Sequence, residues 1–218
     1  MDLDRFVTAT PRPLPVILLL DVSGSMQGSK IASLNASLKE LAQDLAGSAT
    51  PQGEIHIGLV VFSSGVDARD PVAAAAFVPE EFRADGQTAM GAAIDAVRAM
   101  LEDRERIPSR AYTPTLVLVS DGQPTDGAEK AIERLLGSDR GRKATRLALA
   151  IGDDADVDML KRFVANPELP VFRAQETAKI RDFFRWVTFS VQVRTKSRNP
   201  DAAPVPPVAG FDPGDLVY

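Results

Sequence analysis

The sequence predicts an α/β domain: a doubly wound, mostly parallel central sheet with helices on both faces. Three observations carry that expectation. Residues 14–20 (LPVILLL) and the Leu116–Val119 stretch of 113–120 (TPTLVLVS) are unbroken apolar runs, as strands buried on both faces of a parallel sheet are. Between such runs lie segments whose apolar residues recur at helical spacing. The two kinds of segment alternate along the chain, the order that builds a layered sheet with helices packed on it.

Taken in order, the first strand is 14–20, and Ile31, Leu34, Leu38, Leu41 and Leu45 mark an amphipathic helix after it. Gly47 to Gly53 breaks that helix, and EIHIGLVVF is the second strand. DPVAAAAFV, residues 70–78, is assigned to a short edge strand, against the helical preference of alanine. After RADGQT a second helix carries Met90, Ile94, Val97 and Leu101 in one stripe. The doubly buried strand 113–120 ends at Asp121-Gly122. A helix is expected around 129–136, a strand over ATRLALAIG, and a short helix near 158–164 beyond an acidic loop. PVFRA is the last short strand. A final helix from about residue 177 turns Ile180, Phe183, Phe184, Val187 and Val191 inward, with Trp186 just off that stripe. The folded domain is placed at 12–193. Residues 194–218 are proline-rich without a periodic apolar face and are read as an extended tail, mobile or draped over a surface.

Composition narrows the function. The 218 residues are 44% hydrophobic and 25% charged, ordinary for a globular domain, and the net charge of -5 argues against a broad nucleic-acid surface. With no cysteine there is no disulfide framework, thiolate metal site or cysteine nucleophile, and one histidine, His56, excludes a multi-histidine metal site. No stretch approaches a membrane span. The apolar run at 14–20 is too short for a secretory signal, its leader is as acidic as basic, and Asp21 closes it without a small-residue cleavage site, so a cytoplasmic location is expected.

Ligands of open α/β sheets bind beyond the carboxyl ends of the strands. There the chain places DVSGSMQGS, GQTAMG and SDGQPTDG, which supply Asp21, Ser23, Ser25, Thr88 and Asp121. Two carboxylates and three hydroxyls, without nitrogen or sulfur, suit a hard divalent cation, with glycines 24, 86 and 122 permitting tight turns.

Asp-x-Ser-x-Ser after an apolar strand, a Gly-x-Thr loop before a helix, and Asp-Gly after a later strand resemble the von Willebrand factor A (VWA) domain over roughly residues 12–193. The resemblance implies a metal-ion-dependent adhesion site. Ser23, Ser25 and Thr88 would present hydroxyls to Mg²⁺ or Mn²⁺, with Ca²⁺ less suited. Asp21 and Asp121 would act mainly through bound water. An open coordination position would then take an Asp or Glu from a protein partner. Within the family, RPLPVILLLDVSGSM, DGQTAMGAAI, LVSDGQPTDG and DFFRWVTFSV are most similar to bacterial TerY-type proteins of tellurium-resistance clusters, although Gln87 replaces a common second glycine. That likeness implies a metal-dependent interaction module in a tellurite or chemical-stress response, not an enzyme. The alternatives are a metal-dependent phosphoester hydrolase and a VWA subunit of an ATP-driven chelatase or remodelling complex.

Other chemistries fit less well. An aspartate-nucleophile phosphatase wants a second carboxylate where Ser23 stands, and 24–30 misses the phosphate-loop spacing. Gly24-Ser25-Met26-Gln27-Gly28 lacks the nucleophile-elbow spacing, and His56 is expected in a strand as a structural residue under a helix. Asp153, Asp154, Asp156 and Asp158 lack the glycine and glutamate of a calcium loop and are read as helix capping. Arg194, Lys196 and Arg198 are read as a solvated helix end.

Overall fold

The computed structural model describes residues 10–208 and 211–218. Seven strands among them form one sheet: β1 (Arg12–Asp21), β2 (Gly53–Phe62), β3 (Val66–Ala73), β4 (Thr115–Ser120), β5 (Thr145–Ile151), β6 (Val171–Ala174) and β7 (Leu216–Val217), in the spatial order β3-β2-β1-β4-β5-β6-β7. The inner pairings β1 with β2, β1 with β4, β4 with β5 and β5 with β6 are parallel. The two outermost strands, β3 and β7, run antiparallel to their neighbours. The helices are α1 (Ser29–Leu45), α2 (Met90–Glu102), α3 (Ala128–Gly137), α4 (Val157–Val164) and α5 (Thr177–Lys196).

Side-chain alternation along β1 divides the core. Leu14, Val16, Leu18 and Leu20 face the layer of α1 and α5, while Ile17 and Leu19 face the layer of α2, α3 and α4. All six are fully buried, so truncating Ile17 or any of the leucines to alanine would cost about 2–5 kcal/mol. The expected three-layer α/β sandwich is the architecture found. From β1 the chain winds outward to β2 and β3, then crosses back to β4 on the other side of β1. The carboxyl ends of β1 and β4 therefore flank the point where winding reverses, the place where such sheets bind ligands.

Four expectations need correction. The edge strand lies at Val66–Ala73, not 70–78, and Ala74–Ala76 form a 3₁₀ turn. β3 hairpins onto β2 with Ser63 N–H donating to the Gly65 carbonyl at 2.9 Å. The alanines leave the sheet because methyl groups gain little on a pleated surface, and Ala74 packs into the α1 side of the core instead. His56 is not a covered core residue: its side chain is a quarter exposed, and Nε2 lies 3.0 Å from Glu54 Oε2 on the same strand face. Arg194 is 5% exposed rather than solvated. Its guanidinium donates to Thr115 Oγ1 (2.6 Å) and to the Thr113 and Pro200 carbonyls, acceptors that compensate its burial.

The fourth concerns only where the tail begins, since its extended, draped form is one of the two expected. α5 continues past residue 193 to Lys196, and the segment beyond it packs on the domain in extended form. β7 pairs with β6, Phe211 meets Phe172 edge-on at 4.9 Å between ring centres, and Trp186 Nε1 donates to the Pro207 carbonyl. Val205, Val208 and Leu216 pack on the α1–α5 side of the core, and Lys179 pairs with Asp212 and Asp215. In the acidic loop Asp156 caps α4, accepting from Met159 N–H at 2.9 Å, as the spacing predicts. The leader, residues 1–9, lies outside the described residues.

Candidate metal centre

β1 ends by delivering Asp21 to the carboxyl edge, fully buried. The chain then makes a 3₁₀ turn over Gly24–Met26, which Met26 pins into the core, before α1 begins. Backbone hydrogen bonds lock this loop to its neighbours: Val22 N–H donates to the Phe62 carbonyl, Gly24 N–H to the Gly86 carbonyl, and Asp85 N–H to the Val22 carbonyl. Gly86 has φ +80°, which glycine adopts without strain, and a side chain there would run into Ser64. Ser64 Oγ accepts from Gln87 N–H at 3.0 Å, so this loop closes without the second glycine. The Thr88 carbonyl accepts from Thr125 N–H, joining the third loop. Asp126 of that loop caps α2, accepting from Gly91 and Ala92 N–H.

The structure thus brings the five expected residues to one place from three loops. Asp21 accepts from Ser23 N–H through Oδ1 (2.8 Å) and from the Ser120 hydroxyl through Oδ2 (2.6 Å). The Ser23 and Ser25 hydroxyls are 3.0 Å apart, and Ser25 Oγ donates to Asp121 Oδ1 at 2.6 Å. Thr88 enters from the side. A methyl built on Gly122 would lie 3.3 Å from Thr88 Oγ1 and 3.6 Å from Ser25 Oγ, so the missing side chain leaves a hollow bordered by both hydroxyls. Asp21, Ser23, Thr88 and Asp121 are buried while Ser25 is exposed, which opens the cluster on one side only.

Electrostatics favour a cation. Burial pushes the Asp21 carboxyl above the ordinary carboxylate range, the hydrogen bonds from Ser120 and Ser23 oppose that, and the charge of Asp121 adds to it. A bound positive charge would relieve both the desolvation and the carboxylate repulsion. Among the described residues no group of three His, Cys, Asp or Glu side chains comes together to hold a metal, so a cation here must draw on hydroxyls. The geometry fits that role. A hydroxyl has two acceptor lone pairs besides its donor, so Ser25 can keep Asp121 and still present a lone pair to an ion. Asp21 spends both oxygens on fixed donors and serves as the orienting anion. The donor set is all oxygen, which suits a hard divalent ion.

Two residues of this cluster escaped the sequence reading. Ser120 holds Asp21 because β1 and β4 pair Leu20 with Val119, setting the next residues side by side. Lys30, in the first turn of α1, places Nζ 2.5 Å from Asp121 Oδ2. The hydroxyl in Ser-Asp-Gly was visible as a residue type, but only strand register reveals its partner.

Comparison with known proteins bears on the family and the fold. The family model described as von Willebrand factor type A domain matches residues 16–186. Human inter-alpha-trypsin inhibitor heavy chains H6 and H2 are each 27% identical, over 173 and 167 residues covering 70% of this chain. The chain spans only 13% and 17% of the length of those relatives. Similar solved structures include a von Willebrand factor type A protein from Catenulispora acidiphila, with a TM-score of 0.64 at 18% identity, covering 84% of this chain and 44% of that one. Proximal thread matrix protein 1 of the mussel byssus, described with a zinc-occupied MIDAS motif, has a TM-score of 0.61 at 18% identity, covering 82% of this chain and 48% of that one. These likenesses support the fold, and the family match spans most of the sequence. The chain belongs to the von Willebrand factor type A domain family.

Proposed function

We propose that this protein is a metal-dependent interaction module that binds an acidic side chain of a protein partner. The observation that carries the reading is the one-sided opening of the cluster, with Ser25 exposed above buried Asp21, Ser23, Thr88 and Asp121. Ser23, Ser25 and Thr88 would hold Mg²⁺ or Mn²⁺ through neutral oxygens. Asp21 and Asp121 would fix those hydroxyls and take up charge through water. Neutral ligands leave the ion much of its charge, so an anionic oxygen from a partner is the group best able to complete its coordination. The zinc-occupied motif of the mussel matrix protein supports a metal at this kind of site, though not the choice of ion.

We infer a binding role rather than hydrolysis because His56 sits toward the amino end of β2, away from the carboxyl edge that carries the cluster. A hydrolase would need a base placed to activate water. The biological setting we propose, a bacterial tellurite or chemical-stress system in the cytoplasm, rests on motif resemblance and composition. Loss of the gene should raise tellurite sensitivity if that setting holds.

The direct experiment is affinity capture from native lysate by the immobilised protein in Mg²⁺ and in EDTA, alongside Thr88→Ala. A specific partner should be retained in Mg²⁺, released by EDTA and lost with Thr88→Ala. A partner that binds equally in EDTA and to Thr88→Ala places the interaction elsewhere on the surface.

A further inference from the structure

Lys30 stands where a lysine is out of place. It lies in the first turn of α1, whose amino-terminal dipole end disfavours positive charge. Its side chain nevertheless leaves water for the carboxyl edge of the sheet, with 31% of its surface exposed. Nζ sits 2.5 Å from Asp121 Oδ2, on a side chain with no exposed surface. The stem passes close to Gly152, where a side-chain methyl would lie 3.6 Å from Nζ. The other Asp121 oxygen takes the Ser25 hydroxyl. One carboxylate thus links the ammonium to a hydroxyl of the metal set.

We propose that Lys30 is a tethered cation that competes with the divalent ion for Asp121 and so sets the metal affinity of the site. This rests on the metal-site reading above. Lys30 neutralises one of two closely placed carboxylates, and no other Lys or Arg pairs with either among the described residues. An entering ion must displace the ammonium from Asp121 or accept a unit positive charge beside it. Both routes weaken metal binding relative to a neutral residue at position 30, and both depend on charge rather than on side-chain length. The site would then fill fully only where the divalent ion is plentiful or a partner's carboxylate adds to its coordination.

The test measures Mn²⁺ binding by calorimetry, and thermal melting in EDTA and in saturating Mn²⁺, on the full chain. Variants are Lys30→Met, which keeps the stem and removes the charge, and Lys30→Arg, which keeps the charge. Lys30→Met should bind Mn²⁺ about tenfold more tightly than wild type, equivalent to about 1.4 kcal/mol, with Lys30→Arg staying near wild type. In EDTA Lys30→Met should melt below wild type, and saturating Mn²⁺ should close that gap. Lys30→Gln repeats the measurement if the methionine variant misfolds. Binding by Lys30→Met but not by wild type would support the proposal in its strongest form. Equal or weaker binding by Lys30→Met, or equal tightening in Lys30→Arg, overturns it while leaving the metal site standing. Absence of Mn²⁺ binding in wild type and every variant removes the metal-site reading, and this proposal with it.

Discussion

Gly122→Ala is a perturbation whose effect on binding and on stability should separate. The added methyl would lie 3.3 Å from Thr88 Oγ1 and 3.6 Å from Ser25 Oγ, in the hollow those hydroxyls border. Gly122 is not among the glycines with positive φ, so alanine can adopt its backbone conformation. Only the Thr88 contact is tighter than ordinary van der Waals separation, and a shift of a few tenths of an ångström relieves it. The stability cost should stay within about 1 kcal/mol, and the lower entropy of the unfolded chain offsets about 0.4–1 kcal/mol of it. At about 2–4 °C per kcal/mol for a chain of this size, the melting temperature in EDTA should move by less than about 4 °C. Metal binding should suffer far more. An ion about 2.1 Å from its oxygen ligands cannot share that hollow with a methyl carbon, so Mn²⁺ affinity should fall at least about tenfold. Calorimetric titration with Mn²⁺ and a melt in EDTA give both quantities. Wild-type affinity in Gly122→Ala would refute the placement of the ion between Thr88 and Ser25.

Asp21→Asn keeps groups able to meet Ser23 N–H and Ser120 Oγ but removes the buried charge, so Mn²⁺ binding should disappear while the fold persists. In EDTA the wild type carries an Asp21 whose folded pKa is raised by burial, so the folded state holds its proton longer than the unfolded chain. Its stability relative to Asp21→Asn should therefore decline as pH rises from the ordinary carboxylate range through the raised value, and a flat difference from about pH 4 to 7 would contradict this. Ser120→Ala leaves Asp21 Oδ2 without its 2.6 Å donor and should cost about 1–3 kcal/mol in a urea melt, whereas an unchanged midpoint would show that the contact does not hold Asp21. Truncation after Asn199 exposes Phe172 and Trp186 and removes β7, so the melting temperature should drop by about 8 °C or more; a loss below about 2 °C would make the tail a dispensable cover.

What the sequence made legible follows from which forces act locally. Strands β1 and β4 are apolar on both faces, a property independent of their neighbours, so their place at the sheet centre could be read directly. β3 could not, because Val66–Ala73 is a half-exposed edge whose residues alternate weakly and are held by pairing with β2. β7 has two residues, too few for a pattern, and exists because β6 offers a free edge and Phe211 anchors beside it. Arg194 looks like a solvated charge until the Thr113, Thr115 and Pro200 acceptors close around it. The five cluster residues were visible because each sits at a strand end or loop marked by glycine. Ser120 and Lys30 were not, since one depends on β-sheet register and the other on how far a side chain reaches.

A cluster that binds a divalent ion through three hydroxyls and offers it to an acidic partner should show both contacts in one complex. Anomalous diffraction from crystals grown with Mn²⁺ and a short peptide carrying one glutamate tests it most directly. The expected result is a single Mn²⁺ peak bonded to Ser23 Oγ, Ser25 Oγ and Thr88 Oγ1, with Asp21 and Asp121 reached through water and the peptide carboxylate completing the coordination. No peak among these hydroxyls, or a peak coordinated elsewhere on the chain, would contradict it.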